Sequence, residues 1–258
     1  MRESILEALH QLEQEANIHI LYAVESGSRA WGFASPNSDW DVRFVYLHRP
    51  EWYLSIQTRK DTIERMLPQD LDLSGWELRK ALNLFRKSNP PLLEWLGSPI
   101  VYRNDAPWAA AMQQLLAQCF NPKSCSYHYL SMAKGNFREY LKGDTVRLKK
   151  YLYILRPLLA CDWIAQEGGM PPTEFHAILN QLHPAGELRE AIDALLERKM
   201  AAEELSVGPQ IPVINAYAAA AIERHEERLK DFRWDHRPQI EPLNELFRET
   251  LWRVFPQG

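Results

Sequence analysis

Ile5, Leu6, Leu9 and Leu12 recur at helical spacing and predict a helix over residues 3–15. The next stretch, IHILYAVESGS, changes period. Ile18, Ile20, Tyr22 and Val24 alternate, which predicts a strand ending at the turn signal Gly27-Ser28. RAWGFASPNSD has room for one helical turn and a Ser/Pro/Asn loop, and WDVRFVYLH predicts a second strand. Residues 62–74 predict a third strand, weakened by Pro68. Leu78, Ala81, Leu82 and Phe85 line one side of a helix over 76–87. Asn89-Pro90-Pro91 stops it, because proline excludes the residue before it from helical geometry. PLLEWL starts another short helix.

After about residue 105 the alternation disappears and helical patterns take over: 107–119, 123–141, 145–167, 173–182, 185–204 and 212–232. Gly168-Gly169 with Pro171-Pro172 is a helix stop, and Thr173 suits the N-cap of the next helix. The pattern predicts an α/β domain over 1–105 and an all-helical domain over 106–258, with the boundary between residues 103 and 122.

The 258 residues suffice for one large or two small domains, and 46% hydrophobic with 25% charged residues is ordinary globular usage. No apolar run approaches the ~20 residues of a membrane helix, so no membrane partner is expected. The opening MRESILEALHQLEQE lacks the order of a signal peptide. Cys119, Cys125 and Cys161 are an odd set without a CxxC pair, which points to a reducing, cytoplasmic location. A net charge of -4 excludes a chain that coats polyanions with its whole surface. Contact with nucleic acid or nucleotide would need a local basic face.

Candidate chemistry concentrates in Gly27-Ser28-Arg29-Ala30-Trp31-Gly32-Phe33 and Ser38-Asp39-Trp40-Asp41-Val42-Arg43. Glycine allows a phosphate close to the backbone, and a serine hydroxyl beside the N–H groups of a helix start suits phosphate oxygens. Asp39 and Asp41, two apart on a predicted strand, share a face. Two carboxylates so close call for a cation between them, and hard oxygen donors select Mg²⁺ or Mn²⁺. Arg43 continues that face, where it can meet a triphosphate or simply pair with an aspartate. A third acid would complete a two-metal site; spacing favours Asp72 over Asp70. Alone, a Gly-Ser pair is most often a turn and an Asp-x-Asp a solvated loop.

Between Lys134 and Arg156 seven basic side chains (134, 138, 142, 147, 149, 150 and 156) face only Glu139 and Asp144. Lys149, Tyr153 and Arg156 fall on one helical face, where a base could stack on Tyr153 and the cations meet phosphate. Solvated charge is the plainer reading of that face. Arg156-Pro157 suggests a kink. The histidines show no metal spacing, and the tryptophans read mainly as core.

GSRAWGFASPNSDWDVRF resembles the signature of the DNA polymerase β-like nucleotidyltransferase superfamily: Gly-Ser, a spacer, Asp-x-Asp on a strand, then a third acid. More narrowly, it resembles the RNA-repair-pathway (RlaP-like) group of predicted nucleotidyltransferases. LDLSGWELRKAL (71–82), NPPLLEWLGSPIVY (89–102) and KKYLYILRPLLACDWI (149–164) extend the resemblance over most of the chain. It implies an α+β protein: a nucleotidyltransferase domain with a mixed sheet, then a helical domain that binds substrate or nucleotide. It implies Mg²⁺ or Mn²⁺ held by Asp39, Asp41 and Asp72, and phosphate contacts from Gly27 and Ser28; Arg29, Arg43, Lys149, Tyr153 and Arg156 are the further candidates for nucleotide contact, from their positions in the chain. The implied reaction moves a nucleoside monophosphate from a nucleoside triphosphate to an acceptor hydroxyl, on an RNA end, a protein or a small molecule, with release of pyrophosphate. The alternative on the same fold is a non-catalytic, antitoxin-like protein that binds nucleotide, RNA or a partner.

Overall fold

The computed structural model describes residues 1–141, 143, 145–201, 207–236 and 238–256. Lys142 of the expected basic face, Asp144, which opposes it, and the end of the helix expected over 185–204 lie outside the described residues. The elements run α1 (Arg2–Ala16), β1 (Ile18–Glu25), α2 (Gly27–Ala30), β2 (Trp40–His48), α3 (Pro50–Tyr53), β3 (Thr62–Leu67), β4 (Leu71–Glu77), α4 (Leu78–Arg86), α5 (Pro90–Leu96) and β5 (Val101–Asn104). Then follow α6 (Ala106–Cys119), α7 (Pro122–Tyr140), β6 (Thr145–Arg147), α8 (Lys149–Glu167), α9 (Phe175–Leu182), α10 (Glu187–Met200), β7 (Val207–Pro209), α11 (Pro212–Asp231) and α12 (Glu241–Val254).

The chain forms two compact units, Met1–Ala30 with Asp39–Phe120 and Arg237–Gly258, and Trp31–Ser38 with Asn121–His236. In the first, a five-stranded sheet runs β3-β4-β2-β1-β5. Only β2 and β4 pair in parallel, so the sheet is mixed. The apolar stripe of α1 (Ile5, Leu9, Leu12) packs with Val42, Phe44, Tyr46, Leu71 and Leu73 on one face of the sheet. Alternation then puts Asp41, Arg43 and Asp72 on the other face. Asn17, in left-handed geometry (φ 49°), ends α1 and turns the chain into β1.

The strand expected over 62–74 is a hairpin. Gln69 and Asp70 take positive φ (64° and 54°), so the chain reverses between Leu67 and Leu71, which face each other. Asp70 therefore sits in the turn and Asp72 in β4. Glu77 ends β4 and caps α4, accepting from the Arg79 N–H (2.9 Å) and the Lys80 N–H (3.3 Å). Asp105 opens α6 by accepting the Trp108 N–H at 3.0 Å, and its oxygens receive both Nη atoms of Arg253 from α12 at 2.8 and 2.9 Å. The sequence pattern above predicts no element beyond residue 232, so α12 is an addition. Its Leu243, Leu246 and Leu251 are buried.

The second unit is helical apart from the three-residue pairing of β6 with β7. Thr145–Arg147, expected to open a helix, are extended there, and α8 begins only at Lys149. α8 is its axis, buried on nearly every face from Tyr151 to Ile164, with Pro157 inside it. Asp162 on α8 accepts from Tyr217 Oη (2.7 Å), Arg224 Nη2 (2.6 Å) and His225 Nε2 (2.7 Å), all on α11. The segment 31–38 packs within this unit. Phe33 meets Phe175 edge-on, the Phe175 N–H donates to the Trp31 carbonyl at 2.9 Å, and Lys199 Nζ donates to Ser35 and Ser38 at 3.1 and 3.3 Å. Among the described residues no helix is long and apolar enough to cross a membrane. Cys119, Cys125 and Cys161 are buried, and none is in a disulfide.

Candidate active site

The site starts at the junction of β1 and β2. Glu25, the last residue of β1, is 0% exposed. Its Oε1 accepts the backbone N–H of Asp41 at 2.8 Å and its Oε2 accepts the Tyr102 hydroxyl at 2.5 Å. Burial pushes the Glu25 pKa up, while hydrogen bonds from Tyr102 and Asp41 oppose the rise. The Ser98 hydroxyl donates to the Glu25 carbonyl at 2.6 Å, and the Ser26 N–H donates to the Asp41 carbonyl at 2.8 Å. One buried carboxylate thus ties β1, β2 and β5 together beneath Asp41.

Gly27 follows with φ +59°, which costs a side chain-bearing residue steric strain. A Cβ there would lie 2.1 Å from Asp41 Oδ2. The Asp41 carboxylate rests directly on the backbone of the Gly-Ser turn, and only glycine permits that approach. Arg29 holds the next corner: its Nε donates to the Asp39 carbonyl at 3.0 Å, and its guanidinium lies 3.6 Å from the centre of the Trp40 ring.

The parallel register of β2 with β4 sets Asp41 opposite Asp72. One nitrogen, Arg43 Nη2, donates to Asp41 Oδ1 and to Asp72 Oδ2, each at 2.9 Å. Arg43 Nη1 donates to the Val42 and Asp72 carbonyls, each at 3.2 Å. The three side chains stay partly open to solvent, at 18% for Arg43, 28% for Asp41 and 30% for Asp72. The Asp41 pKa is raised. Burial is the main cause, the charges of Asp72 and Asp39 add to it, and Arg43 opposes it. Asp39 is exposed, just ahead of β2, so its charge reaches Asp41 while the shared guanidinium joins Asp41 and Asp72 alone.

Among the described residues no three His, Cys, Asp or Glu side chains are gathered as a metal-holding group. Asp41 and Asp72 nevertheless present hard oxygens on both sides of a positive charge, the donor chemistry a divalent cation uses. The arginine stands in that position.

The expected basic face lies in the second unit. Lys149 is exposed in the first turn of α8. The Tyr153 ring meets Trp31 edge-on at 5.9 Å. Arg156 is 2% exposed, its guanidinium 5.0 Å from the Trp31 ring centre and its Nη2 donating to the Thr173 carbonyl at 3.2 Å. Tyr153 and Arg156 share a face, as their spacing requires, and that face holds Trp31. Glu25 and Tyr102 are absent from the residues that spacing singles out. The one local sign of Glu25 is an acid closing a mainly apolar strand.

The family profile described as "RlaP: RNA repair pathway DNA polymerase beta family" matches residues 1–249. The chain is 45% identical over 258 residues to the "Uncharacterized protein YcgL" of Bacillus subtilis (strain 168), covering 100% of this chain and 99% of that protein. A crystal structure of a nucleotidyltransferase-like protein from Exiguobacterium sibiricum 255-15 aligns over 97% of this chain and 90% of its own, at 11% identity and a TM-score of 0.33. With its Gly-Ser turn, its Asp-x-Asp motif and a profile match running nearly end to end, the chain belongs to the RNA repair pathway DNA polymerase β family, RlaP.

Proposed function

We propose that the protein is a divalent-metal-dependent nucleotidyltransferase that moves a nucleoside monophosphate from a nucleoside triphosphate to an acceptor hydroxyl. The observation that carries this reading is the Asp41–Asp72 pair, matched across β2 and β4 and set against the Gly27 turn. In the reaction the acceptor oxygen bonds to the α-phosphorus, the bond to the bridging oxygen breaks, and pyrophosphate leaves. Asp39, Asp41 and Asp72 would hold Mg²⁺ or Mn²⁺, which supplies positive charge for the attacking and leaving oxygens. Asp72 accepts the acceptor's proton. Gly27 and Ser28 receive phosphate oxygens at the turn, with Arg29 and Arg43 as the cations nearest it. Glu25 fixes the backbone of Asp41. Within the helical unit, exposed Lys149 is a cation suited to phosphate, and Tyr153 and Arg156 pack on Trp31.

The test is transfer of label from each triphosphate, with Mg²⁺, to total RNA or protein. Asp39→Asn with Asp41→Asn should abolish transfer and leave the melting temperature close to that of the unaltered chain. Full activity in the double variant would overturn the reading. A second reading, nucleotide binding without transfer, draws on the arginine that already bridges the acid pair. It predicts nucleotide affinity with no pyrophosphate released over any acceptor.

A further inference from the structure

Asp41 and Asp72 hang from neighbouring strands in fixed register, so their backbones cannot separate without disturbing the sheet. Asp41 is held further by Gly27 on one side and, through its backbone, by Glu25. Two such negative groups repel unless a cation lies between them. Arg43 supplies it with a single nitrogen, and its other terminal nitrogen reaches two backbone carbonyls. The guanidinium and a divalent ion therefore compete for the same oxygens, Asp41 Oδ1 and Asp72 Oδ2. Arg43 brings one positive charge where a divalent ion brings two. Its long side chain reaches solvent, and a planar guanidinium pairs readily with phosphate.

We infer that Arg43 is a resident counter-cation that keeps the Asp41–Asp72 pair closed to divalent ions until a triphosphate draws the guanidinium away. Metal and nucleotide then bind cooperatively. By linkage each strengthens the other by the same factor. This inference rests on the transferase reading above and adds to it an order of events at the acid pair.

The test is a Mn²⁺ titration of the full chain, free Mn²⁺ being read by electron paramagnetic resonance, with and without a non-hydrolysable triphosphate analogue. Without nucleotide, Arg43→Gln should bind Mn²⁺ at least about tenfold more tightly than the unaltered chain. Adding the analogue should tighten Mn²⁺ binding in the unaltered chain and change it little in Arg43→Gln. Adding Asp72→Asn to Arg43→Gln should remove the gained affinity; if it persists, the ion binds elsewhere and the inference falls. Equal Mn²⁺ affinity in Arg43→Gln and the unaltered chain overturns the inference and leaves the transferase reading standing. No Mn²⁺ binding by either protein, with or without the analogue, overturns both. Arg43→Lys, which keeps charge but loses the planar fork, gives a second measure should the glutamine variant fail to fold: intermediate affinity supports the inference, unchanged affinity overturns it.

Discussion

Asp41 on β2 and Asp162 on α8 both touch an arginine and are both desolvated, yet their pKa values move in opposite directions. Burial pushes both upward. At Asp162 the hydrogen bonds from His225, Tyr217 and Arg224 outweigh it, and the pKa falls. At Asp41 one guanidinium is shared with Asp72, the charges of Asp72 and Asp39 add to burial, and the pKa rises. A carboxylate saturated by donors from a neighbouring helix is a structural clamp. Two carboxylates that crowd each other around a single cation keep a negative charge that this cation does not balance.

Substitutions can break or sharpen that contrast, and the largest expected effect is on activity. Asp41→Asn should lower nucleotidyl transfer by at least about 10²-fold, the scale of removing one group that stabilises transition-state charge, with little change in melting temperature. Asp162→Asn should do the reverse. Losing the charged acceptor of a buried network should cost about 3 kcal/mol, read by denaturant unfolding. That cost also carries a pH signature: with the folded pKa below the usual 3.8, the stabilisation is present above that value and is lost as the pH falls through the depressed one. Gly27→Ala should cost about 1–2 kcal/mol for the left-handed backbone and displace Asp41 as well, so transfer should fall with stability. Glu77 gives a smaller pH effect of opposite sign. Burial raises its pKa, so its contribution is full below 4.5 and declines as the pH rises through the raised value. The melting temperature of Glu77→Gln should therefore gain on the unaltered chain between acid and neutral pH. Removing the half-exposed Arg253 partner of Asp105 should cost at most about 1 kcal/mol, and less at high salt.

Much of the fold is legible because its cues are local. The alternation of Ile18, Ile20, Tyr22 and Val24 and the stripe of Ile5, Leu9 and Leu12 mark β1 and α1 without reference to the rest of the chain. The β3–β4 hairpin is hidden because its positive-φ positions are Gln69 and Asp70, where a turn of this kind ordinarily shows glycine or asparagine. α12 carries Pro242 in its first turn and a stripe of leucines, signals that the mainly polar run after residue 232 masks. Of the residues that the fold brings together, Gly27, Asp41 and Asp72 are readable from residue type and spacing. Glu25 is not, because the hydroxyl that marks its role belongs to Tyr102, 77 residues away. Tyr153 and Arg156 show the same division: helical spacing puts them on one face, and packing within the helical unit gives that face to Trp31.

Local spacing alone fixes the period of each long element, the change from strand to helix near residue 105, and the shared face of Asp41 and Arg43 along β2. These depend on neighbours a few residues apart, where backbone geometry dictates which side chains point together. Tertiary structure alone decided that Asp41 faces Asp72, that Asp70 lies outside the sheet, and that one guanidinium spans the two acids. The bond from Arg43 to Asp72 joins residues 29 apart through a parallel pairing, whose register follows from packing both faces of the sheet and has no trace in local spacing.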